Sequence, residues 1–239
     1  MGFLNVGDDG LKRTNEINTA IPMLDTIDIT GKTITADALL TQRKIGSYLV
    51  EQRQAHYHFT VKNNHPGLFQ DIALYFENRR EPDFTLCDPP DHGRIEVRKI
   101  WITTELNNFL NFPHVGQAFV IQRESTNKKT GKYSCEVAYG ITDKTPMQAD
   151  PRNILETNRG HWCIENSCHY IIDWNYNEDR SRIRIGHGPE NVTRLRRFAV
   201  GLIKSKGVRS VPQKMEQLNR NVRLVFDYLK MTKNSAAYI

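Results

Sequence analysis

Near residue 160, side chains able to move protons or bind metal recur every four positions: His161, Glu165 and His169, with Asp173 four further on. On an α-helix this spacing stacks them on one face. Such a stripe is either a solvated surface or the wall of a site in which a carboxylate lies between two imidazoles. Trp162, Ile164, Tyr170 and Ile171 supply an apolar face, so the helix should pack with its polar stripe turned outward or into a cleft. His161, Cys163, Cys168 and His169 also crowd together, which raises a zinc site. Their spacing matches neither finger nor ribbon patterns, and on a helix Cys163 points well away from His161, so we set structural zinc aside.

Two further polar residues stand at the ends of β-prone runs. Asp37 follows Thr33-Ile34-Thr35-Ala36, and Lys62 closes the alternating run His56-Tyr57-His58-Phe59-Thr60-Val61. Asp37 has a structural reading as a helix cap or turn carboxylate. Lys62 reads equally well as a phosphate contact or a plain strand-terminal lysine.

The elements that must position these residues follow from pattern. Gly7-Asp8-Asp9-Gly10 reads as a hairpin turn, and Pro22 suits the first turn of a short helix over Ala20–Leu24. An amphipathic helix is expected from about Thr41 to Gln54, and another from about Leu68 to Asn78 after the turn signal Asn63-Asn64-His65-Pro66-Gly67. Strand, helix, strand, helix implies parallel pairing and an α/β sheet, in which chemistry gathers at the carboxyl ends of strands. From about 88 to 142 the pattern turns to more sheet: Arg94–Thr103, Ala118–Arg123 and Lys132–Ile141, the last two joined by a turn at 127–131. One long helix is expected from Pro151 to Asp173, a second from Glu190 to Ser205 and a third from about Pro212 to Lys230.

Composition bounds the function classes. With 239 residues, 38% hydrophobic and 25% charged, the chain can bury a real core, and one elaborated domain is the expectation. No apolar run approaches the roughly 18 residues of a membrane span, and no basic start leads into an apolar stretch, so a cytoplasmic protein with no membrane partner is expected. Four cysteines do not make a disulfide framework; reduced, mostly packed thiols are expected. The charge of +6 is uneven: residues 152–239 hold 16 Lys/Arg against 8 Asp/Glu, and residues 1–151 hold 17 against 19. A basic half on a near-neutral half fits either a surface that meets a polyanion or a solvated basic face.

Asn158-Arg159-Gly160-His161-Trp162-Cys163-Ile164-Glu165-Asn166, followed by His169-Tyr170 and Asp173, closely resembles the glutamate signature of bacterial insertion-sequence transposases of the ISAs subgroup, also called H-repeat-associated proteins. Five further segments resemble the same family in order: Asn15-Glu16-Ile17 with Ala20-Ile21-Pro22, Thr35-Ala36-Asp37-Ala38 with Gln42, Lys62–Pro66, His92–Arg98 and Asn177–Arg184. Any one is weak; six in order, from about Asn15 to Lys204, are not.

The resemblance implies a ribonuclease H-like fold, with a partial core over 1–150, a β-rich insertion at about 88–142, and a glutamate-bearing helix and basic helical region over 151–239. It also implies a DDE enzyme that cleaves and transfers DNA strands. In such enzymes two Asp and one Glu hold two divalent ions, Mg²⁺ or Mn²⁺, that activate the attacking oxygen and stabilise the leaving one. Asp37 matches the second aspartate and Glu165 the glutamate, so both are expected to be catalytic and metal-binding. His161, His169 and Lys62 are expected to support them. Arg159, Arg180, Arg182, Arg184, Arg194, Arg196 and Arg197 are expected to meet DNA, both insertion-sequence ends and target, and pairing of two ends favours a homodimer. One departure stands out: the family's first aspartate lies in an Asp-Gly-Lys segment that this sequence does not contain. A truncated, inactive copy is therefore expected, with a non-catalytic DNA-binding remnant or the C-terminal half of a split transposase as alternatives.

Overall fold

The structure, a computed structural model, describes residues 9–79, 81–89, 93–162, 170–176 and 178–232. The chain divides into two compact units, Met1–His161 and Trp162–Ile239.

The first unit is mixed α/β around a six-stranded sheet. Its strands are β1 (Thr33–Ala36), β2 (His56–Val61), β3 (Phe84–Cys87), β4 (Arg94–Thr103), β5 (Gln117–Asn127) and β6 (Tyr133–Thr142). They lie in the order β1-β2-β6-β5-β4-β3; β1 and β2 are parallel and every other pair is antiparallel. The parallel expectation therefore holds for the first two strands, and the later β-rich stretch extends the same sheet. The turn between β5 and β6 is short: Asn127 ends β5, its Oδ1 accepts from Lys129 and Thr130, and Gly131 takes the left-handed φ of 66° that reverses the chain.

The period-2 alternation sends residues to two faces. On one face Tyr57, Phe59, Val61, Val120 and Ile141 pack with Leu24 of α1 (Asp9–Asp25), Ile45 of α2 (Arg43–Ser47), Leu49 of the π-helical turn Tyr48–Gln52 that continues it, and Ile72 of α3 (Pro66–Tyr75). On the other, Ile100, Phe119 and Ile121 pack under Ile154 and Leu155 of α4 (Pro151–His161). Each fully buried large side chain contributes about 1.5–3 kcal/mol relative to exposure, so α4 is held chiefly by Ile154 and Leu155, 2% and 0% exposed.

Several expectations need correction. Asp9 and Gly10 open a 17-residue helix rather than a hairpin turn, and Pro22 sits near the end of that helix instead of its start. Burial of Ala20 and Leu24 holds the helix on the core although Pro22 lacks the N–H that would bond to Asn18 O, and the helix ends three residues after the proline. The helix expected over Thr41–Gln54 begins at Arg43, because Ala38–Leu40 form a separate 3₁₀ turn. Of the long helix expected from Pro151 to Asp173, α4 ends at His161 and Ile171–Asn175 is a π-helical turn; residues 163–169 are outside the described residues. Cys87 on β3 and Cys135 on β6 are exposed rather than packed, while Cys163 and Cys168 are outside the described residues.

In the second unit, α5 (Gly188–Ser205), α6 (Val211–Arg220) and α7 (Val222–Tyr228) gather Ile171, Ile172, Val200, Ile203, Val211 and Tyr228 into a small core. The single helix expected from Pro212 to Lys230 is broken at Asn221. Its backbone is extended (φ −141°, ψ 93°), ending α6, and its side-chain oxygen accepts from Arg223 N at 3.1 Å, capping α7.

Candidate functional site

Asp37 and Lys62 emerge at the same end of the sheet, because β1 and β2 are parallel neighbours and each residue directly follows its strand. Both are exposed. One Asp37 oxygen caps the 3₁₀ turn, accepting from Leu39 N at 3.1 Å and Leu40 N at 3.4 Å. The other makes no hydrogen bond among the described residues, which leaves an anionic oxygen open at the strand end. Asp37 is thus a cap, and its free oxygen also suits a hard cation.

The loop carrying Asp37 is fastened to β2. The fully buried Thr41 hydroxyl lies 2.8 Å from Thr60 O and 3.1 Å from Asp37 O. Asn64, two residues beyond Lys62, donates its side-chain amide to Ala38 O. The two strand ends therefore form one hydrogen-bonded platform in which the Asp37 main chain has little freedom.

Helix α4 lies across the other face of the same strands. His58 on β2 and Thr35 on β1 are register partners. Asn158 Oδ1 stands 3.4 Å from His58 Nε2, and His161 Nδ1 stands 3.1 Å from Thr35 Oγ1. His58 is buried and stacks on Phe119, with centroids 4.7 Å apart at 23°. Burial pushes its imidazole down to about 4; the Asn158 hydrogen bond opposes this, and the His161 and Lys144 charges reinforce it. The ring is therefore neutral at pH 7, with Nε2–H facing the amide oxygen. Phe119 reaches His58 by crossing Gly140, where a Cβ would meet the ring at 2.2 Å. A third interaction, Arg159 Nη1 to Asp88 Oδ1 at 3.0 Å, ties the last turn of α4 to the residues after β3. Asp88 also pairs with Arg98, which pairs with Glu96; Glu96 is held below the usual carboxylate range mainly by its hydrogen bond to Arg123.

The other expected residues divide into distinct groups. Glu165 and His169 are outside the described residues. Among the arginines, Arg159 is engaged with Asp88, Arg194 with Glu190 at 2.5 Å, and Arg196 with Glu178 at 3.8 Å while lying over the Tyr176 ring. Arg197 is half-buried. Arg180, Arg182 and Arg184 are exposed and make no ion pair or hydrogen bond among the described residues. No group of three or more His, Cys, Asp or Glu gathers as a metal site among the described residues, and none of the helices described is long and apolar enough to cross a membrane.

Sequence reasoning missed His58, Asn158 and the Thr41–Asn64 fastening. The alternation of β2 does put His56 and His58 on one face, but only the docking of α4 decides that His58 is buried. Gly140 offers no local signal, since its conformation is ordinary and its need is the neighbouring ring.

Residues 4–194 match the model of a family described as the transposase DDE domain. The chain is 29% identical over 203 residues to "Putative transposase YncI" of Escherichia coli O157:H7, covering 80% of this chain and 50% of that protein. It is 26% identical over 208 residues to "H repeat-associated putative transposase YhhI" of Escherichia coli K12, covering 82% and 54%. The chain thus spans about half the length of these curated relatives. With the match running through both strand ends, α4 and the first part of the basic segment beyond it, the chain belongs to the transposase DDE domain family.

Proposed function

We propose that the chain carries the later part of the active site of an insertion-sequence DNA transposase with a ribonuclease H-like core, in which Asp37 and Glu165 are the metal-holding carboxylates. The observation that supports this most is the joint placement of the free Asp37 oxygen at the carboxyl end of β1 and of His161 against Thr35 on the same strand. Glu165 follows His161 by four residues, a length of chain that spans at most about 14 Å. The donor set suits Mg²⁺ or Mn²⁺, since the carboxylate oxygens are hard ligands. When bound, the ions supply positive charge that activates the attacking oxygen and stabilises the leaving one.

The chain's own residues do the rest. Lys62 meets a phosphate oxygen from the neighbouring strand end. His161, held by Thr35, and His169 act as supporting residues for Glu165. Arg180, Arg182 and Arg184, with Arg194, Arg196, Arg197 and Arg159 beyond their present partners, contribute sequence-independent contacts to the DNA backbone. A homodimer would bring two insertion-sequence ends together.

The first aspartate of the family pattern is absent from these 239 residues. We infer that the chain alone is inactive and that a segment outside it completes the site. One observation favours the outer edge of β1 as the place: β1 is four residues long and, among the described residues, pairs on one side only. The test is a strand-cleavage and strand-transfer assay in Mg²⁺ on insertion-sequence ends, with the chain alone and with a co-expressed upstream segment containing an Asp-Gly-Lys motif. The expected result is activity only for the pair. Robust cleavage by the 239-residue chain alone overturns the inactivity; no cleavage with a correctly folded pair overturns the transposase reading of this copy and leaves a DNA-binding remnant.

A further inference from the structure

In the second unit, the π-helical turn Ile171–Asn175 buries Ile171 and Ile172 in the small core and turns two aromatic rings the other way. Tyr170 and Trp174 are 55% and 72% exposed. Their rings are parallel to within 8°, with centroids 6.2 Å apart. One turn of helix thus presents two near-parallel aromatic rings to solvent. Leaving such surface exposed forgoes about 25 cal/mol for every Å² that could have been buried. Large exposed apolar groups of this kind mark binding sites more often than isolated exposed leucines do.

The surroundings indicate what covers it. Residues 162–239 carry 14 Lys/Arg against 7 Asp/Glu. The 3₁₀ turn Glu178–Arg180 packs against the π-helical turn and begins the run of exposed arginines, Arg180, Arg182 and Arg184, that have no partner among the described residues. An apolar protein surface would bury these cations without counter-charges. A nucleotide satisfies both features at once, because its base offers a π-face to the rings and its phosphates meet the guanidinium groups.

We infer that Tyr170 and Trp174 form a stacking platform for an unpaired base of the DNA on which this chain acts. Paired bases inside a duplex cannot reach the rings without leaving their stack, and a blunt end opens only the outer face of its terminal pair, so the platform favours single-stranded or frayed ends over blunt duplex. The inference rests on the proposed DNA-handling role but goes beyond it, since backbone contacts alone bind both forms.

The experiment compares binding of the full chain to a blunt duplex and to the same duplex bearing a single-stranded thymidine tail, by fluorescence anisotropy of labelled DNA. Wild type should prefer the tailed form. Trp174→Leu and Tyr170→Leu should each lose about 5- to 150-fold in affinity for it while keeping blunt-duplex affinity. Trp174→Phe, which retains a ring, should recover most of the loss. Both positions are exposed, and unchanged circular dichroism and melting temperature establish that the variants fold. Equal wild-type affinity for the two DNAs overturns the platform and leaves the DNA role standing. Wild-type binding to neither overturns the role itself. Loss of both affinities in equal measure, or a dimer that Trp174→Leu converts to monomer in sedimentation, assigns the rings to another task and also overturns the platform.

Discussion

Acidification should unseat α4 through a single side chain. His58 is buried and neutral in the folded chain, with its imidazole pushed down to about 4, whereas in the unfolded chain it titrates near 6.5. Above pH 6.5 the group is uncharged in both states and stability does not depend on it. As pH falls below 6.5 the unfolded state takes up a proton that the folded state refuses, so folding weakens until the folded pKa is reached near 4. Each pKa unit corresponds to 1.36 kcal/mol, and the span gives a loss of about 3 kcal/mol between pH 6.5 and pH 4. Carboxylates titrate in the lower part of this window, so the comparison is made against His58→Gln, which keeps an N–H for Asn158 Oδ1 but carries no titrating group. At pH 7 the variant should be less stable by about 1–2 kcal/mol, from the missing stack on Phe119 and imperfect filling. Towards pH 4 the difference should move by about 3 kcal/mol in favour of the variant and change sign. Urea unfolding measures this by tryptophan fluorescence in a Trp162→Phe, Trp174→Phe background, which leaves Trp101 in the core of the same unit at 8% exposure. A wild-type minus variant difference that stays flat from pH 7 to pH 4 refutes the reasoning.

Three further outcomes follow from the same geometry. Gly140→Ala places a methyl group within 2.2 Å of the Phe119 ring and 2.8 Å of Phe59 O, so it should cost about 1–3 kcal/mol or more in urea denaturation, and a neutral effect would contradict the packing. His161→Ala and Thr35→Val should each destabilise the first unit by about 0.5–1.5 kcal/mol, and a double-mutant cycle should return a coupling of the same order; strictly additive effects would mean that the 3.1 Å hydrogen bond does not form. Replacing Arg182 and Arg184 by Ser should weaken DNA binding without regard to sequence and lower the salt-dependence slope by about 0.9 for each phosphate no longer neutralised, whereas an unchanged slope would remove both residues from the DNA surface.

What the sequence discloses is the part set by local pattern. The runs Arg94–Thr103 and Lys132–Ile141 alternate strongly enough to be recognised as strands, and Thr33–Ala36 followed by an aspartate is enough to put a carboxylate at a strand end. The glutamate signature carries the family by residue type and spacing alone. What remains hidden is tertiary. Nothing local says that β6 returns to pair with β2, which joins the later β-rich stretch to the parallel strands in one sheet. The extent of α1 is masked by Gly10 and Pro22, which argue against helix locally and are overruled by packing of Ala20 and Leu24. Asn221 breaks a helix with neither Gly nor Pro to announce it, because its side chain stabilises the start of the next one. His58 belongs to the same class: a histidine in a strand becomes a buried anchor only once α4 has docked over it.

Shared coordination of one divalent ion by Asp37 and Glu165 has a direct test in paramagnetic broadening of backbone amide NMR signals by substoichiometric Mn²⁺. Amides at 36–38 and at 164–166 should broaden together, and Asp37→Asn or Glu165→Gln should abolish the effect at both positions; Asp37→Asn keeps the side-chain oxygen that caps Leu39 and Leu40. Broadening at one segment without the other, or broadening at both that survives the two substitutions, would contradict a shared ion.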